Sequence, residues 1–119
     1  IERGETVMRE PYQRLCDILE AIERIEKYSA QGKAAFEYDE LIQIWILHYL
    51  AVIGEAGASL PDEFRSRLSG LAWKDIIGMR NILVHRYFDI DYEIVWSVVE
   101  KDLPSLKEQI QRILDELDD

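Results

Sequence analysis

The stretch that decides the fold is "LIQIWILHYLAVI", residues 41–53, in which Gln43 and His48 interrupt an otherwise apolar run. A surface helix shows one apolar face, whereas a helix that is apolar almost all round is buried on most sides. We therefore predict a central helix from about Asp39 to Ala56, covered by its own domain or by that domain and a partner. The run is shorter than the ~20 residues that a membrane span requires, so no membrane contact is expected.

The segment before this helix also has helical periodicity. Between Pro11 and Ala30, apolar residues recur three and four positions apart, which is the spacing of one helix face. These residues are Leu15, Ile18, Leu19, Ile22 and Ile25. Gly32 follows and is a natural end for the helix, because glycine readily adopts the conformation that terminates helices.

Two further helices are predicted after the central one. "SLPD", residues 59–62, resembles a helix start with a capping box, and a short helix through Leu68 follows from it. A third main helix is expected from about Trp73 to Val84 or His85.

The fourth main helix begins after "DID", residues 89–91, and repeats apolar residues at helical spacing as far as Leu117. Pro104 lies within this segment and either kinks the helix or opens a new one capped by Asp102. The sequence shows no strand pattern. We therefore predict an all-α fold, an antiparallel four-helix bundle with an extra short helix.

Length and charge limit the possible functions. A chain of 119 residues is one domain, which we place at residues 11–119, with residues 1–10 as an extension, either native or introduced by cloning. The net charge of −10 argues against a general nucleic-acid binder, because phosphate contacts require basic residues. The lone Cys16 cannot form an internal disulfide, which suits a cytoplasmic protein.

Metal and thiol chemistry have little support in the sequence. His48 and His85 are its only histidines, and no paired cysteines or HExxH spacing accompany them. The six glycines are scattered, so there is no phosphate loop. Cys16 has no histidine nearby in sequence, which disfavours a nucleophilic role. No metal and no cofactor are expected.

Polar residues of a catalytic kind cluster in "GMRNILVHRYF", residues 78–88. On a helix, Arg80 and Tyr87 share one face, and Asn81 and His85 share the adjacent face. If the helix ends at Val84, the later residues lie on a turn that can bend back towards Arg80. A phosphate would fit between the Arg80 fork of donors and the titratable His85 ring.

Several of these residues have structural alternatives. An Arg–His pair at a helix end is more often a cap or surface charge than a catalytic pair. His48 is interpreted as a core or interface histidine. Glu55 is either a helix-end carboxylate or a partner of Arg80. Trp45, Trp73 and Trp96 are interpreted as core or interface anchors.

"IIGMRNILVHRYF", residues 76–88, resembles the signature of the HepT-like proteins, a branch of the HEPN superfamily. The signature is Arg, four residues, His, one residue, Tyr, and it falls on Arg80, His85 and Tyr87, with Asn81 also matching. The resemblance extends through "DILEAIERIEKY" (17–28), "VIGEA" (52–56) and "IDYEIVWSVVEKDLPSL" (90–106), in that order.

The resemblance implies a ribonuclease toxin of a two-gene toxin–antitoxin module. Proteins of this kind cut RNA without a metal and act as homodimers whose two motifs face one cleft. The implied antitoxin is an MNT-type nucleotidyltransferase, which silences the toxin by transferring AMP to the motif tyrosine, here Tyr87.

The resemblance also assigns roles. His85 would be the general base or acid, Arg80 would bind the scissile phosphate, and Asn81 would hydrogen-bond His85 or the phosphate and fix its orientation. Arg86 stands where many relatives have an acidic residue, and its charge would favour RNA phosphate. One histidine per chain cannot easily serve as both acid and base, which links catalysis to dimerisation.

Two other functions remain open at this point. Some HEPN domains bind nucleotides or proteins without cutting anything, so the chain could be a non-catalytic subunit of a nucleotidyltransferase complex. A purely structural helical dimer is the third alternative. Growth arrest on expression without the neighbouring gene, dependent on His85, would separate the nuclease from both.

Overall fold

The computed structural model describes residues 2–68, 73–85 and 89–118, and its regular elements are all helical. Within these described residues, seven α-helices follow in order: α1 Glu2–Ser29, α2 Lys33–Tyr38, α3 Glu40–Ser59, α4 Asp62–Arg67, α5 Trp73–His85, α6 Tyr92–Ser97 and α7 Leu103–Asp118, with a π-helical turn, Val98–Asp102, between α6 and α7. The predicted all-α helical bundle is confirmed.

Helix α3 is the central element, as its sequence predicted. It packs against both α1 and α5, which explains why it is apolar on most sides. Its buried residues are Ile42, Ile46, Leu47, Leu50, Ile53, Gly54, Ala56 and Gly57. By length and composition alone, α3 could also cross a membrane. Burial against two neighbouring helices accounts for the same composition.

Helix α1 begins earlier than predicted. It starts at Glu2, and Pro11, expected near the first turn, lies inside it. The predicted apolar face is correct, because Leu15, Ile18, Ile22 and Ile25 are all buried in the core. The face therefore follows from the periodicity, whereas the helix start does not.

Helix α2 was not predicted. It is a six-residue helix that begins after Gly32, whose φ of 98° lies in the region that favours glycine. Its buried residue, Phe36, packs against the rings of Tyr92 and Trp96 at centroid distances of 5.7 and 5.4 Å. A helix of this length is too short to show a periodic pattern.

The region around Pro104 shows how the last helical segment accommodates a proline. The π-helical turn comes first, and Leu103 then begins α7, with Pro104 in its first turn. A proline has no N–H to donate, and this loss is tolerated in the first turn of a helix. Of the two alternatives, the structure thus favours a new α-helix, although no break separates it from the π turn.

One stripe of α3 faces solvent. Leu41 and Ile44 are 77% and 48% exposed, and His48 on the same stripe is exposed as well. The His48 ring packs edge-on against Tyr49, with 4.7 Å between the centroids. The interpretation of His48 as a core residue is therefore wrong, because its position faces outward from the helix. The alternative role at an interface stays a prediction.

Candidate functional site

Helix α5 carries three of the five predicted site residues, and these three belong to the described part of the chain. It spans Trp73–His85, in line with the predicted range of about Trp73 to Val84 or His85, and its principal neighbour is α3. Arg80 and Asn81 lie in its second half, and Arg80 is partly buried. Arg86 and Tyr87 lie outside the described residues, so their predicted roles stay predictions.

Helices α3 and α5 pack closely together at Gly54. A Cβ atom at this position would lie 2.9 Å from Cβ of Arg80 and 3.0 Å from the carbonyl oxygen of Ile76. Real Cβ atoms do not approach other atoms so closely, so any larger residue would push α5 away. Because Gly54 has no side chain, α5 can pack closely against α3 at Arg80. This packing fixes the position of the Arg80 Cβ atom.

The guanidinium of Arg80 is held by two oxygen atoms. Its Nε forms an ion pair with Oε2 of Glu55, the residue after Gly54. Its Nη1 donates a hydrogen bond of 3.1 Å to Oδ1 of Asn81. Of the two alternatives for Glu55, the structure therefore shows the partner of Arg80.

His85 is the last residue of α5 and is exposed. It lies four residues after Asn81, so the two side chains share a face of the helix. The structure thus brings Arg80, Asn81 and Glu55 into contact and places His85 one turn further along. An arginine beside an exposed histidine can bind an anion and exchange a proton with it.

A groove of about 460 Å³ borders this cluster on the α1 side. Arg24 and Tyr49 are among the residues that line it, together with Arg14, Asp17, Glu20, Ala21, Val52, Glu55 and Ala56. The Arg24 guanidinium lies 5.8 Å from the centroid of the Tyr49 ring. The Arg24 guanidinium donates hydrogen bonds to Oε1 of Glu20, and these bonds, followed by the influence of Tyr49, raise the pKa of Arg24, which stays charged at any physiological pH.

No local sequence pattern indicated a role for Arg24 or Tyr49. They lie on different helices, α1 and α3. The indole N–H of Trp45 on α3 donates a hydrogen bond of 2.7 Å to the carbonyl oxygen of Arg24 on α1 and so links the two helices. Local periodicity marks each residue as half-exposed and carries no information about contacts between helices. The interpretation of Trp45 as an anchor fits this bond.

The described side chains offer no ready set of ligands for a metal ion. They contain no group of three or more His, Cys, Asp or Glu placed to hold a metal ion. The Glu55 carboxylate, which lies beside the motif, is engaged by Arg80. The chemistry that these groups themselves offer is anion binding and proton transfer.

Comparison with known proteins matches most of the chain. The family model described as "Ribonuclease HepT-like" matches residues 18–113. The chain is 41% identical over 102 residues to the Methanocaldococcus jannaschii protein "Gamma-glutamylcyclotransferase and putative RNase MJ0434", covering 85% of this chain and 46% of that protein.

Other relatives align over most of their own length. "Putative RNase TTE0752" of Caldanaerobacter subterraneus subsp. tengcongensis is 38% identical over 99 residues, or 83% of this chain and 84% of that protein. "Probable ribonuclease HepT" of Thermococcus cleftensis is 34% identical over 100 residues, which cover 82% of this chain and 89% of that protein. No solved structure gives a significant match.

Proposed function

Because the chain belongs to the HepT-like ribonuclease family, we propose that it is the RNA-cutting toxin of a toxin–antitoxin module, and that it acts without a metal. The observation that carries the proposal is the anchored Arg80, half-exposed on the helix that ends at His85. Its relatives' names support a ribonuclease of the HEPN type. The toxin role and the cytoplasmic location are inferred from the resemblance of the motif.

The proposed reaction uses the RNA as its own nucleophile. His85, as general base, takes the proton of the 2′-OH, whose oxygen then attacks the adjacent phosphorus. Arg80 stabilises the negative charge that builds on the phosphate oxygens. The 5′-oxygen leaves with a proton from a general acid, and the product ends in a 2′,3′-cyclic phosphate. None of these steps requires a metal ion.

The need for both an acid and a base supports a homodimer, in which the second histidine comes from the other subunit. The exposed stripe of α3, with Leu41 and Ile44, supplies apolar surface of the kind that protein partners cover. The stripe continues along the same helix to Glu55, the partner of Arg80. A second copy seated there would lie beside the proposed site.

The proposed antitoxin is a nucleotidyltransferase of the MNT type that modifies Tyr87. The tyrosine oxygen would attack the α-phosphorus of ATP and release pyrophosphate. The resulting AMP adds a negative phosphodiester and a base two residues from His85, where it would compete with RNA for Arg80. Arg86 would pair with either phosphate.

Expression and cleavage assays test the nuclease proposal. Wild-type protein should arrest bacterial growth and cut RNA, and His85→Ala should abolish both while melting at an unchanged temperature. Loss of a general base typically costs ~10²–10⁴ in rate. Harmless expression of a folded wild-type protein that binds a nucleotidyltransferase would instead favour a non-catalytic subunit.

Mass spectrometry tests the modification. Incubation with the antitoxin and ATP should add AMP to Tyr87 and stop cleavage, and Tyr87→Phe should remain active and unmodified. An adduct on another residue, or one that leaves cleavage intact, would contradict this mechanism. Complete silencing without any adduct would point to inhibition by tight binding.

A further inference from the structure

The Arg80–Glu55 ion pair has a geometry that bears on how Arg80 would work. An arginine side chain has five N–H donors: one on Nε and two on each terminal nitrogen. Glu55 engages Nε, and Asn81 accepts from Nη1. The described contacts therefore leave the edge formed by Nη1 and Nη2 with donors available to a further acceptor.

The Arg80–Glu55 ion pair is partly exposed to solvent and therefore contributes little to the stability of the fold. The side chain of Arg80 is 33% exposed and that of Glu55 is 64% exposed. Exposed ion pairs are screened by water and typically add little to the free energy of unfolding. A carboxylate beside a phosphate-binding arginine also repels the phosphate. If Glu55 has a role in the reaction, orientation of Arg80 is therefore a better explanation than stability or substrate binding.

The backbone fixes the base of the same arginine. Gly54 allows α5 to approach until Cβ of Arg80 is in direct contact with α3. The Arg80 side chain is thus held at its root by packing and at its Nε by the neighbouring Glu55. A side chain held at both ends loses less rotational freedom when it binds a ligand.

We infer that Glu55 is a positioning residue, which holds Arg80 by Nε so that its Nη1–Nη2 edge faces the scissile phosphate. The inference rests on the proposed nuclease function and adds to it a residue on another helix. Asn81 serves the same end from within α5. Correct alignment of this kind governs rate steeply, since a displacement of about 1 Å costs on the order of 10²-fold.

Steady-state kinetics on a short RNA test this role with Glu55→Gln and Glu55→Ala. Both should lower kcat, with Ala about 10- to 100-fold below wild type and Gln less affected because it retains an acceptor. KM should stay constant or fall about two- to fourfold, because a negative charge next to the phosphate is removed. A structural role would not separate kcat from KM in this way.

Two controls make the result specific. Glu40→Gln changes the same chemical group at the start of α3, fifteen residues and about 22 Å along the helix, and should leave both constants unchanged. The double variant Arg80→Ala, Glu55→Ala should be no slower than Arg80→Ala alone, because Glu55 acts through Arg80.

The outcomes separate this inference from the proposed function. Cleavage that depends on Arg80 but proceeds at the wild-type kcat in both Glu55 variants would overturn the positioning role alone. A higher kcat in Glu55→Gln would identify the carboxylate as an inhibitor of Arg80 and would also overturn it. A double variant whose loss of kcat is the product of the two single losses would also overturn the positioning role. Absence of any Arg80-dependent cleavage in the folded wild-type protein would overturn both proposals.

Discussion

Arg80 combines three structural constraints in one residue. Its helix packs against Gly54, its Nε forms an ion pair with Glu55, and its Nη1 donates a hydrogen bond to Asn81. In the proposed mechanism, a planar guanidinium held in this way would present two parallel donors to the phosphate. A lysine would offer a single point of charge on a flexible chain. The type of side chain at this position therefore matters as much as its charge.

Replacement of Arg80 by lysine tests that distinction. We expect Arg80→Lys to keep the fold and to lower kcat substantially, approaching the roughly 10²- to 10³-fold loss typical when a charge-stabilising donor is removed. The measurement is single-turnover cleavage of RNA, with Arg80→Ala alongside. Wild-type turnover by Arg80→Lys would show that only the positive charge is needed.

The glycines of the two packed helices provide a matched pair of stability tests. Gly54→Ala would put a Cβ against Arg80 and the backbone of Ile76, and overpacking of this kind costs typically ~1–3 kcal/mol. A Cβ at Gly78 would meet nothing within 4 Å. Gly78→Ala should therefore be neutral or stabilise α5, by up to about 1 kcal/mol, since alanine favours helix.

Urea unfolding of both variants measures these effects. The expected order of stability is Gly54→Ala below wild type and Gly78→Ala at or above it. Gly54→Ala should also lower cleavage, because it displaces the root of Arg80. Equal stability of the two variants would contradict the close approach of α3 and α5.

Much of the candidate site could be predicted from sequence, because Arg80, Asn81 and His85 belong to one helix. Helical spacing places Asn81 and His85 on one face without knowledge of the fold. The Glu55 contact stayed one of two alternatives, because it joins two helices and depends on how closely they pack. Nothing in local spacing indicates that Gly54 permits that approach.

At the scale of helices, side-chain caps define where two of the elements, α3 and α6, begin. Asp39 accepts hydrogen bonds from the N–H groups of Leu41 and Ile42 and so starts α3. Asp91 does the same for α6 through Glu93 and Ile94. These carboxylates satisfy backbone donors that the first helical turn leaves unpaired.

Removal of the α3 cap should have a measurable cost. We expect Asp39→Ala to lower the free energy of unfolding by about 1 kcal/mol, within the usual range for capping residues. Asp39→Asn keeps an acceptor oxygen and should lose clearly less. Chemical denaturation compares the two, and equal losses would show that the charge of Asp39, and not its hydrogen bonds, stabilises the helix start.

The helices also show where periodicity stops being informative. The apolar face of α1 followed from the spacing of its apolar residues, and the central position of α3 followed from its apolar run, whereas the start of α1 and the whole of α2 could not be predicted in this way. The capping box expected at residues 59–62 does not form, because Ser59 ends α3 and donates to the carbonyl oxygen of Glu55. Pro61 takes the cap position of α4 instead. Competing local hydrogen bonds decide such boundaries.

For the whole molecule, charge and exposed apolar surface point in different directions. The net charge of −10 opposes RNA binding at long range, so the proposed contact with RNA requires local positive charge such as that of Arg80. The exposed stripe of α3 favours a protein partner. A dimer that brings two motifs together would double the local positive charge at one cleft.

Light scattering tests the dimer. The wild-type protein should have twice the chain mass of 14.0 kDa at micromolar concentration. Ile44→Glu on the α3 stripe should weaken the dimer by introducing a charge. Ile94→Glu on α6 is the matched control, because Ile94 is similarly exposed, at 55%, and lies off the stripe. A monomeric wild type, or equal effects of the two substitutions, would contradict a dimer through this stripe.

The most direct test of the account is analysis of RNA product ends in the presence of excess EDTA. The wild-type protein should cut RNA under these conditions and leave a 2′,3′-cyclic phosphate, or its hydrolysed form, together with a 5′-hydroxyl. His85→Ala, folded and at the same concentration, should produce neither end. Cleavage that stops in EDTA and returns with magnesium, or products with a 5′-phosphate and 3′-hydroxyl, would contradict a metal-independent mechanism at Arg80 and His85.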